Sequence, residues 1–185
     1  PVLQPCPALA QEAMELLWSA RRPLVISGRG ARGAGPELCK LLDTCGALYL
    51  DTGESRGLVS DAHPSVVAAM RGSVMAEADV IVTLGRRLDF QLAYGSPAVL
   101  GPARFIRIAD APSELRDNRR GEVEMLAQPK AALAAIVAAA GTRAPAVDRE
   151  WTAAVRAKHL ARVAKLRQSM QAAARARRYE IKSNR

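Results

Sequence analysis

The feature that most restricts the fold is the alternation of short apolar runs with helix-period segments along the first 140 or so residues. Leu24–Ser27, Ala47–Leu50, Val80–Leu84, Phe105–Ile108 and Val123–Leu126 are four or five residues long and mostly apolar. Runs of that length, without strict polar alternation, suit strands covered on both faces. Helical segments are interleaved with them. Pro7–Arg21 places Leu9, Ala13, Met14, Leu16 and Leu17 on one stripe, and Leu38, Leu41 and Leu42 do the same after Pro36, up to Gly46. Ser65–Arg71 is expected to be a third helix, Pro112–Leu115 a helical turn, and Lys130–Ala140 an apolar helix stopped by Gly141. The fold class expected is therefore α/β: a doubly wound parallel sheet of about five or six strands, helices on both faces and right-handed crossovers. In such a sheet the strand-to-helix loops share one edge, where ligands bind. Here they are Gly28–Gly35, Asp51–Gly57, Gly85–Asp89 and Ala109–Pro112.

The net charge of +9 suggests a polyanionic partner until it is located. Residues 1–147 carry a balance of only +1, whereas residues 148–185 carry +8. Within that tail Arg156, Lys158, Arg162, Lys165, Arg167, Arg175, Arg177 and Arg178 alternate with alanines, without aromatics for base stacking. Trp151–Tyr179 is thus expected to be a long helix with a solvated basic face, and neither nucleic acid nor membrane is expected as a partner. The longest apolar run, Ala131–Ala140, has ten residues, about half of what a bilayer-spanning helix needs. The three cysteines, Cys6, Cys39 and Cys45, form no CxxC and suit a reducing compartment, with Cys39 expected to face the core. The chain opens at Pro1 without a charged-then-apolar leader, so a cytoplasmic protein that begins mid-sequence is expected. The two histidines, His63 and His159, have no neighbours at metal-ligand spacing, so no metal site is expected.

The motif with the most chemical content is Gly28-Arg29-Gly30-Ala31-Arg32-Gly33, a GxGxxG directly after a strand, with Asp51 lying 23 residues after Gly28. Glycines there let a backbone approach a pyrophosphate, and a carboxylate at that distance accepts from a ribose hydroxyl. A glycine-rich connection without a ligand has the same spelling, and the helix beginning near Pro36 makes this loop longer than the compact fingerprint. Asp89 beside Arg86 and Arg87 is expected to form a local ion pair or a turn cap, His63 to hold a loop, and Asp61 to sit in a turn. There is no Gly-x-Ser-x-Gly and no P-loop Lys-Ser/Thr, so no catalytic residue is assigned.

Four blocks between Arg22 and Ala140 resemble, in order, the central domain of thiamine-diphosphate-dependent enzymes of the acetolactate-synthase-like and 2-hydroxyacyl-CoA lyase branch. They are Arg22–Gly28; Leu50-Asp51-Thr52 with Arg56-Gly57 and Asp61–Pro64; Ala78–Gly85 with Arg87–Phe90; and Phe105–Ile108 through Pro112, Glu114-Leu115 and Asn118. Gln91–Gly95 looks closer to the acetolactate-synthase-like lyases than to pyruvate decarboxylases. The resemblance implies a Rossmann-like domain between two others, the first bearing the glutamate that activates the cofactor and the last a Gly-Asp-Gly…Asn segment for magnesium and diphosphate. No Gly-Asp-Gly occurs in these residues. Residues 1–22 are accordingly expected to be a lead-in helix from an N-terminal domain, 23–142 the central α/β domain, and 143–185 a basic helical linker towards a C-terminal domain.

The resemblance further implies an enzyme acting on 2-keto acids or 2-hydroxyacyl-CoA, with thiamine diphosphate and Mg2+ held outside this domain. The domain itself would be structural, and its pocket would hold FAD or ADP through Gly28, Gly30, Thr52, Arg87 and Asp110. One departure bears on that pocket: Ala109 and Ala111 stand where acidic residues are usual, leaving Asp110 as the carboxylate. The expected partners are the remaining domains of the same enzyme, a second subunit and a small-molecule nucleotide. The alternative is an independent NAD-binding domain of a dehydrogenase, for which no hydride-accepting substrate residues are evident.

Overall fold

Strands β1 (Pro23–Ser27), β2 (Leu48–Asp51), β3 (Val80–Leu84), β4 (Arg104–Ala109) and β5 (Val123–Leu126) form one sheet in the order β2-β1-β3-β4-β5. All four pairings are parallel. The computed structural model describes residues 2–183, with side chains described as far as residue 174, so Pro1, Asn184, Arg185 and the side chains of Arg175, Arg177 and Arg178 lie outside the described residues. The winding direction reverses between β1 and β3, which places the ligand crevice of such a sheet at the ends of these two strands.

Alternate strand residues feed two cores, as the pleat requires. Val25, Val82, Leu84, Ile106 and Ile108 face the layer of α1 (Pro7–Trp18), α2 (Gly35–Cys45) and α5 (Pro129–Ala140). In that layer Ala10, Ala13, Ala132 and Ala140 lie among Met14, Leu17, Leu38, Leu41, Leu133 and Ile136, and their short side chains let helices approach closely. Leu24, Ile26, Ile81 and Phe105 face the opposite layer, where α3 (Arg71–Glu77), α4 (Pro97–Leu100) and the first turns of α6 (Arg149–Ser183) lie. Cys45 is buried, which pushes its thiol up to about 12. Cys39 packs against the core but remains half-buried rather than facing fully inward.

The segment Ser65–Arg71 departs from the expected helix. Tyr49 N–H donates to Ser65 O (2.7 Å), Val67 N–H donates to Tyr49 O (3.3 Å), and Val66 forms a parallel bridge with Tyr49. A single 3-10 turn over Ala68–Met70 follows, and the helix begins only at Arg71. The cause is the open edge of β2, whose backbone groups need partners that a helix at 65–71 would not supply.

The basic tail is not solvated throughout. Trp151 and Val155 are buried, and Trp151 Nε1 donates to Glu77 Oε2 (2.7 Å). One turn further on, two α6 side chains grip one residue: His159 Nδ1 accepts Ala69 N–H (3.2 Å) and Arg162 Nη1 donates to Ala69 O (3.0 Å). Burial lowers the His159 pKa, with the Asp61 charge opposing it. A depressed imidazole pKa means that the unfolded chain takes up the proton first, so this contribution is complete above the unfolded value and is lost as pH falls through the folded one. Urea midpoints should therefore decline as pH falls below about 6.5, and His159→Gln should flatten that decline. An unchanged pH profile in the variant would remove the clamp from the account of stability.

Candidate functional site

Parallel strands bring the ends of β1, β2, β3 and β4, and hence all four loops singled out from the sequence, to one edge. At the switch point the loops after β1 and β3 interlock. A Cβ on Gly28 would lie 2.5 Å from Gly85 O, one on Gly30 2.8 Å from Gly85 Cα, and one on Gly85 2.4 Å from Gly30 C. Five loop amides turn inward. Gly28 N–H donates to Leu84 O (3.0 Å), Gly30 N–H to Gly85 O (3.0 Å), Ala31 N–H to Gly28 O (3.0 Å), Arg32 N–H to Arg29 O (3.2 Å) and Ala34 N–H to Ala31 O (3.1 Å). An anion cradle is made of amides aimed at the ligand, so these five are not free to form one.

Thr52 is likewise engaged. Its hydroxyl donates to Ser27 O (2.6 Å), while Ser55 Oγ bonds Ser27 and the Thr52 backbone, and Ser27 Oγ lies 2.5 Å from Tyr49 OH. This buried network pins the loop after β2 onto the end of β1, and burial together with the nearby Asp51 raises the Tyr49 pKa. Asp51 itself lies 3.7 Å from Arg56 Nε. Arg29 and Arg32 both pair with Glu54, at 3.4 and 3.1 Å.

Arg87 and Asp110 are exposed on the rim. Arg86 makes a bidentate pair with Asp89 (2.8 and 2.7 Å), and Asp89 also accepts Gln91 N–H (3.0 Å), so both expected roles are combined. Burial alone would raise the Asp89 pKa, but the Arg86 hydrogen bonds and charge outweigh it and hold the carboxylate below its ordinary range. Glu114, on the turn after β4, behaves oppositely. Burial and the nearby Asp110 raise its pKa against the pull of Arg87, Arg86 and Arg107. Its Oε2 is buried without a partner and would lie 3.5 Å from a Cβ on Gly30. His63 Nδ1 accepts Ser65 N–H (3.2 Å) and its Nε2 faces Asp43 Oδ1 (3.2 Å), a loop-holding role away from the crevice. Asp61 lies in a turn.

Sequence reasoning missed the polar centre beneath the rim. Arg107 is fully buried on β4 and forks onto Asp117, with Nη2 to Oδ2 at 2.8 Å and Nη1 to Oδ1. The same guanidinium donates to Glu114 O (2.6 Å) and Arg119 O (2.8 Å), while Asp117 Oδ2 accepts Leu88 N–H (2.8 Å). One ion pair therefore ties the loop after β4 to the loop after β3 and sets where Glu114 sits. The signal was present, an arginine within the apolar run Phe105–Ile108, but its carboxylate partner lies ten residues on in a segment without periodicity.

Among the described residues no three His, Cys, Asp or Glu side chains gather as metal ligands, and no helix is long and apolar enough to cross a membrane. What the arrangement provides is a closed loop contact with Arg87 and Asp110 exposed beside it, and with the exposed Arg29, Arg32 and Arg56 of the same edge paired to Glu54 and Asp51. Known proteins share this architecture. Residues 10–136 match the family model described as "Thiamine pyrophosphate enzyme, central domain". Oxalyl-CoA decarboxylase of Escherichia coli (strain K12) is 35% identical over 121 residues, covering 64% of this chain and 22% of the relative. 2-Hydroxyacyl-CoA lyase 1 of Mus musculus is 37% identical over 117 residues, covering 62% and 20%. The crystal structure of benzoylformate decarboxylase from Polynucleobacter necessarius superposes with a TM-score of 0.60 at 15% identity, over 74% of this chain and 28% of that one. The chain thus spans about a fifth of the length of the curated relatives it matches. With the family model covering well over half of its residues, and the parallel doubly wound sheet beneath them, the chain belongs to the central-domain family of thiamine pyrophosphate enzymes.

Proposed function

We propose that the chain is the non-catalytic central domain of a larger cytoplasmic enzyme that cleaves or joins carbon–carbon bonds beside the carbonyl of a 2-keto acid or of a 2-hydroxyacyl-CoA. Thiamine diphosphate, when bound in the whole enzyme, supplies the carbanion-stabilising centre, and other domains and a second subunit hold it with Mg2+. This domain's part is positional: it keeps its neighbours in register and contributes a stiff sheet edge. The observation that supports this reading is the interlocked switch point, where the Gly30 and Gly85 backbones are in contact and five loop amides bond within the protein.

A second reading, an adenine nucleotide of the FAD or ADP kind laid along the rim, draws on one specific observation. Glu114 Oε2 is a buried acceptor without a donor, beside the exposed Arg87 and Asp110. In that arrangement Arg87 faces a phosphate, Asp110 a ribose hydroxyl, and the contacts to Gly28, Gly30 and Thr52 are van der Waals only. Calorimetric titration with ADP, FAD, CoA and NAD separates the two. The positional reading expects no saturation by any of them up to about 1 mM, a free energy weaker than about 4 kcal/mol. Micromolar ADP or FAD binding, lost in Arg87→Ala and Asp110→Asn, establishes the rim site instead, and saturation by NAD alone favours the dehydrogenase alternative. For the complete enzyme the expected result is thiamine-diphosphate-dependent cleavage of a 2-hydroxyacyl-CoA.

A further inference from the structure

The helix α6 carries one apolar stripe, and the domain covers only part of it. Trp151, Val155, His159, Val163, Leu166 and Met170 follow one another at steps of four, four, four, three and four residues, the spacing of a single helix face. The first three are buried against the 3-10 turn and α3. Val163 is half-buried, and beyond it Leu166 is 61% exposed and Met170 63% exposed. Past the clamp on Ala69 the stripe runs on for two more turns, first along a groove against the domain and then, at Met170, beyond the groove's lining. Leu160, Val163 and Leu166 line one side of a groove of about 680 Å3, and the domain lines the other with Val66, Ala68 and Ala69 and, at its polar margin, Asp51, Arg56 and Asp61.

Charge decides what suits this strip. Between Trp151 and Ala174 the helix carries Arg156, Lys158, Arg162, Lys165 and Arg167 and no carboxylate. A second copy of α6 laid alongside would meet five cations with five cations. An apolar surface edged by Asp and Glu meets both the stripe and its flanks. The strip also continues an interface already formed with one folded domain, which is the geometry of a helix shared between two domains.

We propose that the Val163–Met170 strip is a docking surface for an acidic-edged apolar patch on another domain of the same enzyme, so that α6 is a strut clamped at one end by this domain and at the other by its neighbour. This rests on the reading that the chain works within a larger enzyme. Its role is to fix the angle between the two domains, since a helix held on one continuous face at both ends has no hinge between them.

Oxidative footprinting of Met170 tests the proposal, with peroxide as the probe and mass spectrometry as the readout, on the 185-residue chain and on the complete enzyme. Met170 should oxidise at least tenfold more slowly in the complete enzyme, and Leu166→Asp should restore most of the rate. Added salt should do so in part, because the flanking pairs are screened. Equal rates in both proteins overturn the proposal. So does protection of the 185-residue chain that rises with its own concentration, which would make the occupant a second copy, or protection that appears only with phosphatidylserine vesicles. Lys158→Ala, off the stripe, should leave Met170 protected. If the complete enzyme lacks thiamine-diphosphate-dependent cleavage yet protects Met170, the functional reading fails and the docking surface stands; active enzyme with unprotected Met170 gives the converse.

Discussion

Gly85→Ala should cost about 2–5 kcal/mol of folding stability, a large fraction of the roughly 5–15 kcal/mol that holds a native domain together. Two effects add. Gly85 has φ +53°, in the left-handed region where an L side chain costs about 1–2 kcal/mol. The new Cβ would also lie 2.4 Å from Gly30 C and 2.5 Å from Ala31 N, backbone atoms that cannot rotate away, and overpacking of this kind costs about 1–3 kcal/mol more. Gly33 is the internal control. It has φ +81° in the partner loop after β1 but nothing within 4 Å of its missing Cβ, so Gly33→Ala should cost only the conformational part, about 1–2 kcal/mol. Urea denaturation of the two variants gives the comparison. Equal losses would mean that loop interlocking contributes nothing, and the positional account of the crevice would lose its foundation.

Arg107→Met should be as damaging, at about 3–5 kcal/mol, because it strands a buried carboxylate. The Asp117 side chain is 6% exposed, and without the guanidinium it keeps only the Leu88 amide as a donor, while Glu114 O and Arg119 O lose theirs. Arg107→Lys should recover only part of the loss, since an ammonium cannot reproduce the planar fork onto both carboxylate oxygens. The double variant Arg107→Met/Asp117→Leu should be more stable than Arg107→Met alone, because the uncompensated charge is then gone. A cost under about 1 kcal/mol for Arg107→Met, or a double variant no better than the single one, would show that the pair does not organise the two loops.

Both predictions concern residues whose roles were unevenly legible. The strand runs and the gathering of their loops on one edge followed from apolar periodicity and the alternation with helices, while the strand order came only with the tertiary structure. Gly28 and Gly30 stood out in the sequence as candidate ligand contacts; only the β1–β3 pairing shows that the Gly85 backbone lies against both. Spelling cannot separate a glycine that admits a phosphate from one that admits a neighbouring backbone, since both require the missing Cβ and nothing else. Arg107 reads locally as an interruption of an apolar strand, and its meaning depends on Asp117 across an irregular loop. Ser65–Arg71 has helix-compatible residues, yet the open edge of β2 takes its backbone instead.

By itself, then, the chain's order of apolar runs and breakers determined the α/β class, the parallel sheet and the shared loop edge, through periodicities within about a dozen residues, while four residue blocks in order carried the likeness to a family. Tertiary structure alone decided that the glycine loop closes on its neighbour, that a buried arginine holds the rim, and that the basic helix begins as part of the core. Each is a contact between residues far apart in sequence, set by which strands lie side by side and which backbone groups they leave unpaired.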